Sequence, residues 1–408
     1  MTPHPLIYDW NHDAAAPRQV AMLDDETLRD GLQSPSVRHP GIDEKIGILR
    51  HMDALGIDTA DVGLPGAGPR VAKDVERLVR AIAELRLRIS ANCAARTLVA
   101  DITPIVEIVQ RTGVPIECCA FIGSSPIRRY AEGWTVDYLQ RCTDEAVAFA
   151  VREGLSVMYV TEDTTRADPE SLRVLYTTAI RAGASRLCIA DTVGHATPNG
   201  AKAVVTFVRS LIQELGVDVG IDWHGHRDRG FGVASSIAAL EAGATRLHGA
   251  ALGIGERCGN TPIDLLLVNL VMMGYINRDI TTLPAYCHLV ARACDVRIPA
   301  NYPVVGRDAF RTATGVHAAA VVKASRKGDR ALMDAVYAAV PASLVGREQH
   351  IEIGPMSGRS NVVYWLERRG LPATDQIVDR ILAAAKASNR TLTHEQVRKI
   401  VEQARSVA

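Results

Sequence analysis

The 408-residue sequence predicts an α/β protein: a closed parallel (β/α)8 barrel with a C-terminal α-rich linker and a small subdomain. Three observations predict it. Eight short apolar runs rich in β-formers recur about every 30 residues. Segments with helical spacing lie between them. Polar residues gather where the runs end, which is the end at which such barrels carry chemistry.

The runs, in order, are "VAMLDDE", "TADVGL", "ISANC", "IECCAFI", "SVMYVTED", "RLCIADTV", "VGIDWHGH" and "RLHGAALGI". Intervening stretches such as "VAKDVERLVRAIAEL" and "PESLRVLYTTAIRAG" place apolar residues three and four apart, as one buried helix face requires. Gly56, Gly154, Gly183 and Gly243 each stand just before the next run, where a left-handed cap would end the helix. A doubly wound open sheet is the alternative, but no glycine-rich phosphate fingerprint follows the first run. From Leu283 the alternation stops. "CHLVARACDVRIP" and "FRTATGVHAAAVVKAS" read as helices, a loop-rich stretch follows, and the C-terminal end is helical. The expected organisation is an N-terminal extension over 1–19, a catalytic barrel over 20–282, a linker subdomain over 283–342 and a second subdomain over 343–408, with no regulatory domain after it.

Lysine plus arginine equals aspartate plus glutamate at 46 each, so no global basic field points to nucleic acid. No apolar run approaches the roughly 20 residues that span a bilayer. The N-terminus lacks the basic and apolar regions of a signal peptide. The eight cysteines form no CxxC pair and several lie inside apolar runs, so reduced thiols in a cytoplasmic protein are expected.

The seventh run ends "DWHGHRDRG". Side chains alternate faces along a strand, so Asp222, His224 and His226 point the same way. Asp30 follows the first run in "DETLRDGLQ", and strands one and seven lie close across a barrel mouth. One carboxylate and two imidazoles can hold one face of an octahedral divalent ion and leave positions open for substrate. Asn260, in the glycine-rich "GIGERCGN" turn, can add an oxygen ligand. Arg29 beside such a centre suits a 2-oxo acid, because it meets the oxygen that becomes negative when carbon attacks. Thr192, after "IADT", can donate to the acid's carboxylate, although a helix N-cap is the plainer role and Thr197 fits that role better. Substrate contacts are expected from Gln33, Arg96, Arg166, Thr192 and Glu256.

"DETLRDGLQ", "TEDTTR", "DTVGHATP", "HGHRDRGFGVASSIAALEAGA" and "GIGERCGNTPIDLLL", in that order, resemble the metal-dependent Claisen-condensing TIM-barrel family of 2-isopropylmalate, homocitrate and citramalate synthases. The resemblance implies that acetyl-CoA is joined to a 2-oxo acid and its thioester hydrolysed. It implies a divalent ion (Mn, Mg, Zn or Co) on Asp30, His224, His226 and Asn260, with catalytic roles for Arg29 and Glu162. It also implies a homodimer with shared active sites, in which His317 and Tyr337 of the appendage serve the partner subunit's barrel. Homocitrate synthases resemble the chain in a carboxylate at Asp222. That opens two roles: a relay with His317, or orientation of a metal-bound histidine. Two departures stand out: Leu32 replaces the family's usual glutamate, and "ATGVHAAA" replaces "ESGIHQDG".

The expected substrate is 2-oxoisovalerate, giving 2-isopropylmalate in leucine biosynthesis. Homocitrate, citramalate and phosphonomethylmalate synthases are the alternatives. "GLPGAG" and "FIGSS" offer small and apolar groups at the mouth, while Arg96, Arg128 and Arg129 are near enough in sequence to reach a distal anion. A 3-hydroxy-3-methylglutaryl-CoA-lyase-like enzyme is a further alternative, since "RDGLQ" is closer to that group, but "GERCGN" and the long appendage are synthase features. A barrel that binds its ligand without turnover fits an intact Arg29–Asp30–His224–His226–Asn260 set poorly.

Overall fold

The computed structural model describes residues 5–8, 10–11 and 21–405. Most of the expected 1–19 extension lies outside the described residues. Eight parallel strands form the (β/α)8 barrel: β1 (Met22–Asp25), β2 (Thr59–Asp61), β3 (Ser90–Arg96), β4 (Ile116–Gly123), β5 (Val157–Glu162), β6 (Arg186–Asp191), β7 (Gly220–Gly225) and β8 (Arg246–Gly249). They pair in chain order, and β8 closes onto β1 with His248 opposite Asp24. The helices outside are α1 (Ile42–Ala54), α2 (Pro69–Glu84), α3 (Val99–Thr112), α4 (Pro126–Glu132), α5 (Val136–Arg152), α6 (Pro169–Ala182), α7 (Pro198–Leu215), α8 (Gly232–Ala242), α9 (Ile263–Met272) and α10 (Leu283–Ala293).

Alternation along the strands sorts the side chains. Leu23, Tyr159, Leu187, Trp223 and Leu247 are buried under the helices. Their neighbours in sequence fill the barrel interior, and much of that interior is polar. Asp24 accepts from Asn92 Nδ2 at 2.6 Å and from the Thr59 hydroxyl. Arg246 reaches both Asp222 and Glu117 at 2.6 Å. Cys119, Met158 and Cys188 form a separate buried cluster with Val160 packed on it.

Helix boundaries follow local chemistry. Gly113, Gly183 and Gly216 end α3, α6 and α7 with positive φ. Thr197 caps α7 by accepting from Gly200 N at 3.2 Å, the role its position before "PNG" predicts.

Contacts divide the chain into two compact units at Arg297/Ile298 rather than at 282/283. The reason is α10, which belongs with the barrel. Its buried Tyr286 hydroxyl donates to the Asp25 carboxylate at the end of β1 and lies 3.1 Å from Thr27 Oγ1. The second unit carries α11 (Gly315–Arg326), α12 (Arg330–Ala335), α13 (Arg359–Glu367), α14 (Asp375–Ala387) and α15 (His394–Arg405). The parallel pair β9 (Arg311–Thr312) and β10 (His350–Ile351) joins them. It has two apolar clusters, one around Val321, Val322 and Ile351, the other around Trp365, Ile381 and Val401.

Candidate active site

The chain turns sharply after β1, so Arg29 and Asp30 lie over the barrel mouth. The half-buried Arg29 guanidinium is shared among three carboxylates. Nε donates to Asp61 Oδ2 at 2.7 Å, Nη1 to Asp30 Oδ2 at 2.9 Å, and Nη2 to Glu26. One cation cannot neutralise three anions, and buried uncompensated charge is costly. Burial accordingly pushes the Asp61 carboxyl up. Burial works the same way on Glu26 and Asp30, but Arg29 and the nearby imidazoles overcome it and hold both below the usual carboxylate range.

His224 and His226 approach Asp30 from β7. Their Nε2 atoms lie 3.9 and 3.8 Å from Asp30 Oδ2. These gaps are too long for hydrogen bonds. They suit an ion between ligands, each about 2.0–2.2 Å from it. Burial, then His224, lowers His226 to about 4, which leaves a neutral imidazole with a free lone pair near neutral pH. Asn260 pairs with His226 in an isolated bridge. Its Nδ2 donates to Asp30 Oδ1 at 2.8 Å and to Ile254 O at 3.0 Å, while its buried Oδ1 has no hydrogen-bond partner. An orphaned carbonyl oxygen beside a carboxylate and two imidazoles fits a divalent ion.

Gly255 makes this approach possible. Its φ is +146°, and a Cβ there would lie 2.2 Å from Asn260 Nδ2 and 3.0 Å from Asp30 Oδ1. Any other residue would push Asn260 out of place.

The remaining expected residues are distributed as follows. Thr192 Oγ1 accepts from Asp163 N at 2.7 Å and keeps its own proton to donate. Glu162 is half-buried at the end of β5; burial raises it, against Arg128, whose Nε is 3.6 Å away. Arg96 grips Asp101 through two bonds of 2.6 and 2.9 Å, and Arg166 grips Asp163 at 2.8 and 2.7 Å. Gln33 and Glu256 are exposed. His317 and Tyr337 stack in the second unit with ring centroids 4.2 Å apart. They line a cavity of about 220 Å³ with Arg311 and Gln349. A larger cavity of about 420 Å³, between Leu172 of α6 and Phe207 of α7, includes none of the metal-ligand candidates.

The Asp222 carboxylate is engaged inside the barrel. Its oxygens are taken up inside the barrel by Arg186 Nε at 2.6 Å, Arg246 Nε at 2.6 Å and His248 Nε2 at 3.0 Å. Burial would raise it, but Arg246, His248 and Arg186 hold it well below the usual carboxylate range. It reaches His224 through His248 and Glu26. Sequence reasoning missed both of those residues, along with Asp61. Glu26 lies two residues past Asp24, on the same inward-facing alternation, and that spacing was the available signal. A single histidine inside the apolar run "RLHGAALG" carried none.

A parallel barrel with a carboxylate–imidazole cluster and a guanidinium at its C-terminal mouth defines a class of carbon–carbon bond-forming or bond-breaking barrel enzymes. The HMGL-like family profile matches residues 20–290, and the chain belongs to that family. The chain is 33% identical to the "Probable 2-isopropylmalate synthase" of Methanopyrus kandleri, over 89% of this chain and 68% of that one. It is 30% identical to the homocitrate synthase of Pyrococcus abyssi, over 95% and 99%. Among solved structures, the HMG-CoA lyase of Bacillus subtilis superposes with a TM-score of 0.57 over 70% of this chain and 97% of that one. At 18% identity that likeness is one of fold. The sequence relatives are synthases, and this chain is an enzyme of the condensing-synthase class.

Proposed function

We propose that this enzyme joins the acetyl group of acetyl-CoA to a 2-oxo acid, with 2-oxoisovalerate as the acid and 2-isopropylmalate as the product. The observation that carries the reaction class is Arg29 held beside the Asp30–His224–His226 cluster with the orphaned Asn260 oxygen. A divalent ion on these four residues would supply Lewis acidity toward the oxo acid. The acetyl methyl loses a proton, and its carbon bonds to the keto carbon. Arg29 offsets the charge growing on the keto oxygen, which then takes up a proton. Thr192 donates to the acid's carboxylate, and the half-buried Glu162 faces the same mouth. Water adds to the thioester carbonyl and the CoA thiol leaves.

The substrate side chain is inferred from charge. Arg96, Arg128, Arg129 and Arg166 are each paired with a carboxylate: Asp101, Glu132, Asp168 and Asp163. A distal carboxylate would have to displace one of these pairs. The partly buried Val160 on β5, packed on the buried Cys119, Met158 and Cys188, instead offers an apolar wall. In this reading the protein acts as a homodimer, with His317 and Tyr337 serving the partner copy and His317 as base. The free state of all eight cysteines suits the cytoplasm, and among the described residues no helix is long and apolar enough to cross a membrane. Thiol release from acetyl-CoA across a panel of 2-oxo acids tests the reading. The expected result is highest kcat/KM with 2-oxoisovalerate. Preference for 2-oxoglutarate would replace the product with homocitrate.

A further inference from the structure

Beneath the candidate ligands runs a buried chain of side chains that the reaction as described does not use. Asp222 Oδ2 lies 3.0 Å from His248 Nε2. His248 Nδ1 lies 2.9 Å from Glu26 Oε1, and the same oxygen lies 3.1 Å from His224 Nδ1. Glu26, Asp222 and His248 are at most 2% exposed. We infer that Glu26, seated by His248 and Asp222, is a positioning residue that fixes His224 as the Nδ1–H tautomer and turns its Nε2 lone pair toward Asp30 and His226.

The argument is one of donors and acceptors. An ionised carboxylate only accepts hydrogen bonds. Both imidazoles that face Glu26 Oε1 must therefore donate through Nδ1. For His224 this puts the proton of the neutral ring on Nδ1 and leaves Nε2 on the side of Asp30 Oδ2, 3.9 Å away. For His248 the second nitrogen also faces a carboxylate, so both of its nitrogens donate and the ring is a cation. Burial opposes that charge, but Asp24, Asp222 and Glu26 outweigh it and raise His248 to about 10. Glu26 Oε2 takes Arg29 Nη2, so the same carboxylate aligns the guanidinium. Asp222 is in turn held by Arg186 and Arg246. The ligand is thus anchored to the barrel floor by side chains that cannot move independently.

Glu26, His224 and His248 also lie close enough together to suggest a second metal centre. Their geometry argues against it. The Asp30 cluster has gaps of 3.8 and 3.9 Å and an orphaned amide oxygen. The Glu26 cluster is closed by hydrogen bonds of 2.9 and 3.1 Å.

The inference rests on the reading of Asp30, His224, His226 and Asn260 as metal ligands, and the experiment separates the two. Nitrogen-15 shifts of His224 in the metal-free wild-type protein should report the Nδ1–H tautomer, and Glu26→Gln should give a mixture. Co²⁺ affinity, measured by chelator competition, should fall about 10–100-fold in Glu26→Gln and in the companion variant His248→Gln, with one Co²⁺ per wild-type chain. Predominance of the Nε2–H tautomer in wild-type protein would overturn the inference, whether or not either variant folds. So would unchanged Co²⁺ affinity in a folded variant, or a second Co²⁺ per chain that Glu26→Gln removes. Wild-type protein that binds no Co²⁺ yet shows the Nδ1–H tautomer would sink the metal reading and leave the positioning of His224 standing.

Discussion

The two sides of the barrel interior are built from different chemistry. β1, β7 and β8 contribute Asp24, Glu26, Asp222, His224, Arg246 and His248, linked by hydrogen bonds and ion pairs. β4 and β6 lend that network Glu117 and Arg186 at their starts. At the next inward position on each lie Cys119 and Cys188, which pack with Met158 of β5 as a sulfur cluster touched by Arg246 through Met158 Sδ at 3.2 Å. Burial raises both thiols well above their ordinary value, so they stay protonated and inert. Both sides close the same barrel, yet they fail differently. Removing one partner from a charged network leaves a buried ion uncompensated, whereas trimming a thiol leaves only a small void. The difference separates two kinds of support: the charged groups hold the candidate ligands in place, and the sulfur cluster fills the barrel beside them.

The largest expected effect is on the charged side. His226→Ala removes a ligand candidate that Asn260 and Asp30 cannot replace. Bound metal and turnover should vanish together, with kcat/KM down by about 10³-fold or more, roughly 4 kcal/mol. Metal analysis of the purified variant alongside the thiol-release assay checks this. Full activity in metal-free protein would break the assignment.

Next comes the floor of the network. Arg246→Met leaves Asp222 and Glu117 without their shared partner and should cost about 3–5 kcal/mol in urea denaturation. The same network makes a pH prediction through His248. Its ordinary value is 6.5; burial pulls it down, but Asp24, Asp222 and Glu26 outweigh that and raise it to about 10 in the folded state. A raised value means protonation favours the fold. The stabilisation is complete below about pH 6.5 and is lost as pH rises through about 10. Wild-type stability should therefore decline between pH 7 and 10, and His248→Gln should flatten that slope. Equal slopes would show that His248 is not a cation in the folded protein.

Arg29→Lys ranks third. A lysine keeps one charge but cannot meet Glu26, Asp30 and Asp61 together. We expect kcat to fall about 10²–10³-fold, the scale of losing one donor to a developing oxyanion. Metal content should change little, which distinguishes this variant from His226→Ala.

The comparison also explains what the sequence disclosed. Asp30, His224, His226 and Arg29 were legible because they sit at strand ends and their spacing reports a shared face. Asn260 was legible through its glycine-rich turn. The closing glycines at Gly183 and Gly243 were legible because a left-handed cap has a local signature. Glu26, His248 and Asp61 were not, because their roles depend on register. Asp24 stands opposite His248 only because β8 closes onto β1, a pairing of residues 224 positions apart. A barrel interior is assembled from eight strands at once, and no local pattern states which carboxylate will meet which imidazole. The mouth was readable and the network beneath it was not.

The smallest expected effect tests whether the two sides are independent. Cys188 on β6 is 1% exposed and packs with Cys119 and Met158. Cys188→Ala removes one sulfur atom and leaves a void too small to hold a large ligand. The lost transfer energy and the void together should cost about 1 kcal/mol. No charge is stranded, because the thiol of Cys188 is neutral in the folded protein. Its neighbour across the sheet is Asp222, which pairs with it in register on β7. Asp222 is held by two arginines and His248, so a missing sulfur gives it no reason to move. Co²⁺ affinity should therefore stay within about twofold of wild type while the urea midpoint drops slightly. A drop in Co²⁺ affinity comparable to that expected for Glu26→Gln would show that the sulfur cluster helps to seat the network, and the division between the two sides of the barrel would have to be abandoned.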